Sequence, residues 1–140
     1  MRIIPLTLIA AMGVHGCGQT TAGNDEIPSL PEPVEITLGF GEVQTIEGTA
    51  LGIAFTDVNE DSRCPTDVTC VWQGNAEVAL SIGLAPNPST PLLLNTGVDP
   101  QAARWNTVGV TLLSLSPDPL SEAPIDPQDY VVRVRLEPLG

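Results

Sequence analysis

Residues 76–84, AEVALSIGL, form the longest stretch of alternating apolar and small or polar side chains in the chain. Successive side chains of a β-strand point to opposite faces, so this alternation predicts a strand with one buried face. The buried face would carry Ala76, Val78, Leu80, Ile82 and Leu84. Pro86 and the prolines after it end the run, because proline cannot continue a central ladder.

Shorter runs of the same kind flank this strand on both sides. They cover residues 34–38, 43–46, 51–56, 92–94, 107–115 and 130–136, and the only departure from strand character is a possible turn at residues 101–105. Seven or eight short strands separated by Gly and Pro turns predict an all-β domain, either a single antiparallel β-sandwich or a small barrel. A parallel α/β fold is excluded because crossover helices are missing. The proline-rich segment 116–127 is expected to wrap one end of the domain.

The segment before the longest strand contains a pair of cysteines. Residues 57–78 read DVNEDSRCPTDVTCVWQGNAEV, with Cys64 and Cys70 six positions apart. In a chain that opens like an exported protein, this spacing predicts a disulfide and a location outside the cytosol. We expect Arg63 to pair with Asp61 or Glu60 at the loop mouth, and Trp72 to pack in or near the core beside the disulfide.

The first residues are typical of an export signal. Arg2 precedes an apolar run over residues 3–14, which is too short to cross a bilayer as a helix and has the length of a signal-peptide core. We therefore interpret residues 1–16 as a signal peptide.

Residues 14–17, Val-His-Gly-Cys, resemble the lipobox of bacterial lipoproteins, although His15 departs from the small or aliphatic residue usual there. The resemblance implies that Cys17 is diacylated, that it becomes the first mature residue, and that the protein is anchored in the bacterial cell envelope. Acylation also accounts for the cysteine left over by the Cys64–Cys70 pair. In bacterial lipoproteins, an aspartate directly after the acylated cysteine is linked to retention in the inner membrane. Gly18 stands at this position, so the resemblance favours the outer membrane. The alternative is an ordinary signal peptide cut near Gly16, which leaves Cys17 free.

Residues 17–33 are rich in Gly, Thr, Pro and acidic residues, a composition that cannot form a core of its own. We interpret them as a lipidated, flexible tether. Residues 34–140 then form the β-sandwich domain, which has the size of one domain.

The domain is strongly acidic. The chain holds 17 acidic residues against five basic ones and has a formal net charge of −12. Such a charge repels phosphate groups, so nucleic acid binding is excluded as the main role. After His15 the chain has neither histidine nor lysine. A Ser–His or Ser–Lys catalytic pair is therefore absent, and zinc or copper sites lack their usual ligand. We expect a protein that is not an enzyme and needs no cofactor.

Calcium is the one metal that the sequence leaves open. Asp57, Asn59 and Asp61 follow the spacing that begins a calcium-binding loop. Ser62 and Val68 stand where an EF-hand needs glycine and glutamate, so an EF-hand is excluded and only a looser calcium site remains.

Residues 60–76 also resemble a motif, E-D-S-R-C-P-x-x-V-x-C-x-W-x-G-x-A, of small, functionally uncharacterised bacterial secreted proteins and lipoproteins. The resemblance implies export and a disulfide, and no activity. We therefore expect an envelope lipoprotein that binds a protein partner or stabilises an assembly, with Asp57, Asn59, Asp61, Arg63 and Trp72 as candidate binding or loop-stabilising residues. The alternatives are a calcium-dependent adhesion or glycan-binding module, and an accessory or inhibitor domain acting on a periplasmic enzyme.

Overall fold

The computed structural model describes residues 28–140. The predicted signal peptide, Cys17 and the first part of the predicted tether lie outside the described residues. In the described part the chain forms eight β-strands and one short 3₁₀ helix. The strands are β1 (Val34–Gly39), β2 (Val43–Thr45), β3 (Leu51–Asp61), β4 (Ala76–Leu84), β5 (Thr90–Asn95), β6 (Ala102–Trp105), β7 (Val108–Ser116) and β8 (Val131–Pro138), and the 3₁₀ helix covers Pro127–Asp129.

The strands build two four-stranded antiparallel sheets, in the orders β1-β8-β7-β6 and β2-β3-β4-β5. The expected all-β antiparallel sandwich is therefore confirmed. The chain starts in the first sheet, forms the whole second sheet as a meander, and returns to complete the first. The possible turn expected at residues 101–105 is instead the edge strand β6.

The core lies between the two sheets. Its side chains come from the inward faces of the strands and are almost all aliphatic. The fully buried ones include Leu38, Leu51, Ile53, Phe55, Val78, Leu80, Ile82, Leu94, Val108, Val110, Val132, Val134 and Leu136. Burial of each large aliphatic side chain contributes about 1.5–3 kcal/mol, so this layer supplies most of the driving force for folding. The predicted inward face of β4 is buried from Ala76 to Ile82, whereas Leu84 at its end is exposed.

Leu30 belongs to the same core although it precedes β1. It is 5% exposed and packs with the sandwich, so the packed domain extends into the segment that the sequence predicts as tether. Pro28 is buried as well, whereas Ser29 and residues 31–33 are exposed. Within residues 28–140, no helix is long and apolar enough to cross a bilayer.

The sandwich has two ends that differ in what they carry. At one end β3 meets β4 through Asp61 and Ala76, and β7 meets β8 through Ser116 and Val131. We call this the loop end. At the opposite end β1 begins beside the last residues of β8, with Val34 opposite Leu136. We call this the terminal end, since the described chain enters and leaves there.

Candidate functional site

The loop end is dominated by a disulfide loop, residues 64–70. Cys64 and Cys70 are joined at an S–S distance of 2.07 Å, with their Cα atoms 6.0 Å apart, so the predicted disulfide is confirmed. The amide of Cys64 donates to the carbonyl of Gln73 at 2.8 Å, which extends the β3–β4 pairing into the loop. The loop is therefore held at its base as well as closed on itself.

The disulfide loop is also attached to the opposite sheet through the β7–β8 connection, residues 117–130. The amide of Thr66 donates to the carbonyl of Pro119 at 3.0 Å. The Asp67 carboxylate accepts from the amide of Ser121 at 2.9 Å and from its hydroxyl at 2.7 Å. These bonds from Ser121 lower the pKa of the exposed Asp67 carboxyl. The proline-rich segment thus lies against the disulfide loop, at one end of the sandwich.

Arg63 lies at the centre of the loop end. Its guanidinium group donates to both oxygens of the Asp61 carboxylate, at 2.8 Å from Nε and 2.7 Å from Nη2. Two further donations reach the carbonyls of Leu115 at 2.7 Å and Pro117 at 3.0 Å. Both side chains are largely buried, with 11% of Arg63 and 12% of Asp61 exposed. Arg63 therefore ties the end of β3 to the end of β7 and joins the two sheets.

Tyr130 completes this arrangement. Its hydroxyl donates to Asp61 Oδ2 at 2.9 Å from the residue just before β8. Burial together with the hydrogen bond to Asp61 raises the pKa of Tyr130 to about 12. A phenol with such a pKa keeps its proton at neutral pH, so Tyr130 acts here as a hydrogen-bond donor.

The same contacts set the charge of the ion pair. Burial by itself would raise the pKa of the Asp61 carboxyl, but the hydrogen bonds from Arg63 and Tyr130 and the nearby positive charge hold this pKa below its ordinary value. Burial also opposes the charge of Arg63, and the bonds and charge of Asp61 overcome it and raise the pKa of Arg63. Asp61 and Arg63 are therefore both ionised at neutral pH, with Asp61, Arg63 and Tyr130 forming one satisfied cluster.

Gly74 and Gly97 allow three segments of the loop end to meet closely. Gly74 adopts a φ of +72°, and a Cβ there would collide with the carbonyl of Ser62. A Cβ on Gly97 would in turn collide with the carbonyl of Gly74. The Asn75 side chain joins this contact by accepting from the amide of Gly97 at 2.9 Å. Only glycine fits at these two positions, because the backbones themselves are in contact.

Trp72 does not occupy the core position expected for it. Its side chain is 59% exposed, and the prediction that it packs in or near the core is wrong. The strand β4 begins only at Ala76, and the left-handed turn at Gly74 breaks the alternation on which the prediction relied. Ala76, expected on the same face, is fully buried.

Trp72 is accompanied by other exposed apolar side chains. Val71 beside it is fully exposed, and Val68 within the disulfide loop is 46% exposed. The second tryptophan differs, because Trp105 is partly buried against the core and donates from Nε1 to the Thr90 hydroxyl at 3.2 Å. We call Val68, Val71 and Trp72 the apolar tip.

The three residues of the predicted calcium spacing do not converge. The Asp61 carboxylate faces Arg63 and Tyr130. The Asn59 amide donates to Glu77 at 2.8 Å, and the Asp57 carboxylate accepts from the amide of Val58 at 2.8 Å. In residues 28–140 no group of three or more His, Cys, Asp or Glu side chains is placed to hold a metal ion. Asp57, Asn59 and Asp61 therefore bond to three different parts of the described chain.

Two shallow hollows lie beside Arg63. One, of about 230 Å³, is lined by Cys64, Gln73, Gly97 and Asp118 among others. The other, of about 270 Å³, runs along β7 past Leu113 and Ser114. Arg63, Thr96 and Asp118 border both, so they form one polar, open surface at the loop end. Both hollows are open to solvent rather than enclosed.

Sequence reasoning singled out Arg63 and Asp61, which the structure brings together, and missed the partners that fix them. Tyr130 is 69 positions from Asp61 and Ser121 is 54 from Asp67. No local pattern reports such pairs.

No family model matches the chain, and neither a curated protein nor a solved structure is significantly similar to it. The resemblance of residues 60–76 to secreted bacterial proteins thus stays a prediction.

Proposed function

We propose that the chain is a cell-envelope lipoprotein whose β-sandwich is a non-catalytic binding module for a partner protein. The observation that carries the proposal is the apolar tip, in which Val71 and Trp72 are exposed directly after the disulfide loop, between Cys70 and the backbone hydrogen bond of Gln73. Tryptophan is among the residues that contribute most to protein interfaces. A loop closed by a disulfide and bonded to the opposite sheet loses little conformational entropy on binding.

The position of the tip supports this proposal. The described chain begins at the terminal end, where Leu30 packs, and the tip lies at the loop end. An anchor at Cys17 would therefore hold the terminal end toward the membrane and present the tip away from it. The intervening segment, from residue 17 to residue 30, is long enough to hold the domain clear of the membrane surface.

The experiment is affinity purification from detergent-solubilised envelope with three forms of the full-length protein. We expect the unaltered protein to enrich one partner, Trp72→Ala to lose it, and Leu84→Ala to retain it. Leu84 is the matched control because it is 55% exposed but lies at the terminal end. Identical capture by all three forms would contradict binding through the tip.

A Cys17→Ser form should leave the membrane fraction, and its retention there would contradict the lipid anchor.

A second candidate is an accessory or inhibitor domain that acts on an envelope enzyme. An exposed loop that a disulfide closes can enter an enzyme cleft at little cost in conformational entropy, and the exposed Trp72 follows this loop two residues after Cys70. This candidate predicts that the purified partner is an enzyme whose turnover changes when the domain is added. Trp72→Ala should abolish that change.

A further inference from the structure

The apolar tip lies at an end of the sandwich where negative charge exceeds positive charge. The segments that build the loop end, residues 57–72 and 117–130, contain eight carboxylates and one arginine. That arginine is Arg63, whose side chain is only 11% exposed and is bonded to Asp61. It is not presented to a partner.

Three carboxylates of the loop end are exposed. Asp67 lies within the disulfide loop, and Glu122 directly follows Ser121, whose hydroxyl donates to Asp67. Asp118 borders the hollow beside Cys64. The other arginines of the described chain lie on the first sheet, where Arg133 pairs with Glu35 at 2.9 Å and Arg135 approaches Glu137 at 3.9 Å. Arg104, on β6, bonds the backbone of Asn106. Within residues 28–140, Arg63 is therefore the one positive side chain of the loop end, and its charge is shared between Asp61, which it bonds, and Asp118.

We infer that the loop end docks a cationic protein segment, in which an apolar residue covers Trp72 and Val71 while lysine or arginine residues face Asp67, Asp118 and Glu122. The inference rests on the proposed binding function and specifies the partner's chemistry. Complementary charge around an apolar centre directs association and selects the partner. A second copy of the chain would bring like charges together at this surface, and anionic lipid headgroups would be repelled by it.

The test uses the mature chain with Cys17→Ser, and its probe is a displayed library of random peptides. Enriched peptides should carry net positive charge next to an aromatic or aliphatic residue. Synthetic copies should bind at least about tenfold more weakly to Trp72→Ala, a loss of about 1.4 kcal/mol, and equally to Leu84→Ala. Enrichment of neutral or acidic peptides, or of none whose binding depends on Trp72, overturns the inference.

A pair of charge variants separates the local effect from net charge. Asp118→Asn with Glu122→Gln removes two carboxylates at the loop end, and Glu32→Gln with Glu47→Gln removes two at the terminal end. We expect the first pair to weaken peptide binding several-fold and the second to leave it nearly unchanged. Equal effects would overturn the inference, because binding would then follow the total charge. Affinity should also fall between about 0.05 M and about 0.5 M salt.

Fluorescence of Trp72 and sedimentation analysis test two other occupants of the tip, a lipid bilayer and a second copy of the chain. In a Trp105→Phe background, fluorescence reports Trp72 alone, since the chain has two tryptophans. A blue shift on vesicles of phosphatidylcholine or of phosphatidylethanolamine with phosphatidylglycerol would overturn the inference in favour of a bilayer. A dimer in sedimentation analysis that Trp72→Ala dissociates would overturn it in favour of a second copy. An envelope partner that Trp72→Ala loses but that is not cationic would leave the proposed function standing and reject this inference alone.

Discussion

At the scale of single residues, Asp61 joins the two sheets at the loop end, because side chains attached to both sheets donate hydrogen bonds to its carboxylate. Arg63 donates to it from beyond the end of β3, and Tyr130 donates from the start of β8. A buried ion pair is stable only when its remaining lone pairs and protons find partners, and here the Leu115 and Pro117 carbonyls supply them. We therefore expect each of the three side chains to depend on the other two.

The single tyrosine of the chain makes this cluster measurable by titration. Absorbance of tyrosinate should give a midpoint near 12 in the folded protein and near 10 in urea. Since the folded pKa of Tyr130 is the higher one, its contribution to stability is complete below pH 10 and is lost as pH rises toward 12. Asp61→Asn should lower the folded midpoint. A midpoint near 10 in the folded protein would contradict the Tyr130–Asp61 bond.

Asp61 predicts the opposite dependence at acid pH. Its folded pKa is lowered, so its stabilisation is present above about pH 4 and is lost as pH falls through the folded pKa.

We expect Tyr130→Phe to reduce the free energy of unfolding at pH 7 by about 1 kcal/mol, measured by urea denaturation. In an Asp61→Asn background the same change should cost less, and equal costs would show that the two residues do not interact.

At the scale of elements, the loop end is an extension of the β3–β4 hairpin that glycine keeps compact. Gly74 combines a left-handed backbone with direct contact to the Ser62 carbonyl, whereas Gly41, at φ +76°, has nothing within 4 Å of its Cβ position. Gly41→Ala should cost about 1–2 kcal/mol through backbone conformation alone. Gly74→Ala should cost clearly more, since the backbone must also move. Thermal unfolding of the two variants checks this, and similar losses would contradict the close contact.

The disulfide acts on the same element by restricting the unfolded chain. Closure of a loop of seven residues stabilises by about 2.4 kcal/mol in the chain-entropy description. We expect Cys64→Ala with Cys70→Ala to lose roughly that amount in urea denaturation, and amides of residues 66–72 to exchange faster. Thr69→Ala, an exposed change within the loop, is the control and should be nearly neutral. An unchanged unfolding midpoint in the double variant would show that the loop is held by Asp67 and Thr66 instead.

At the scale of the whole molecule, the domain includes chain that precedes its first strand. Leu30 is 5% exposed in the core, so Leu30→Ala should reduce the free energy of unfolding by about 2–3 kcal/mol. Leu84→Ala removes the same atoms from a side chain that is 55% exposed and should cost much less. Calorimetry of both variants measures the difference. Equal effects would place Leu30 in the tether and restore a boundary at residue 34.

The features of this protein that depend on local patterns could be predicted from its amino-acid sequence. Alternation of apolar residues is a property of neighbouring positions, so it indicated an antiparallel β-sandwich or small barrel, and it indicated the buried face of β4 correctly from Ala76 to Ile82. The short spacing of Cys64 and Cys70 indicated their disulfide because closing so short a loop costs little chain entropy.

Only the tertiary structure decided what the loop end presents to solvent. Tyr130 meets Asp61 and Ser121 meets Asp67 because the two sheets stack, and pairs so distant in the chain leave no local pattern. Trp72 is exposed because the turn at Gly74 changes the direction of the chain before β4 begins. Hydrophobicity alone predicts burial for tryptophan, and whether a core has room for it depends on how all the strands pack.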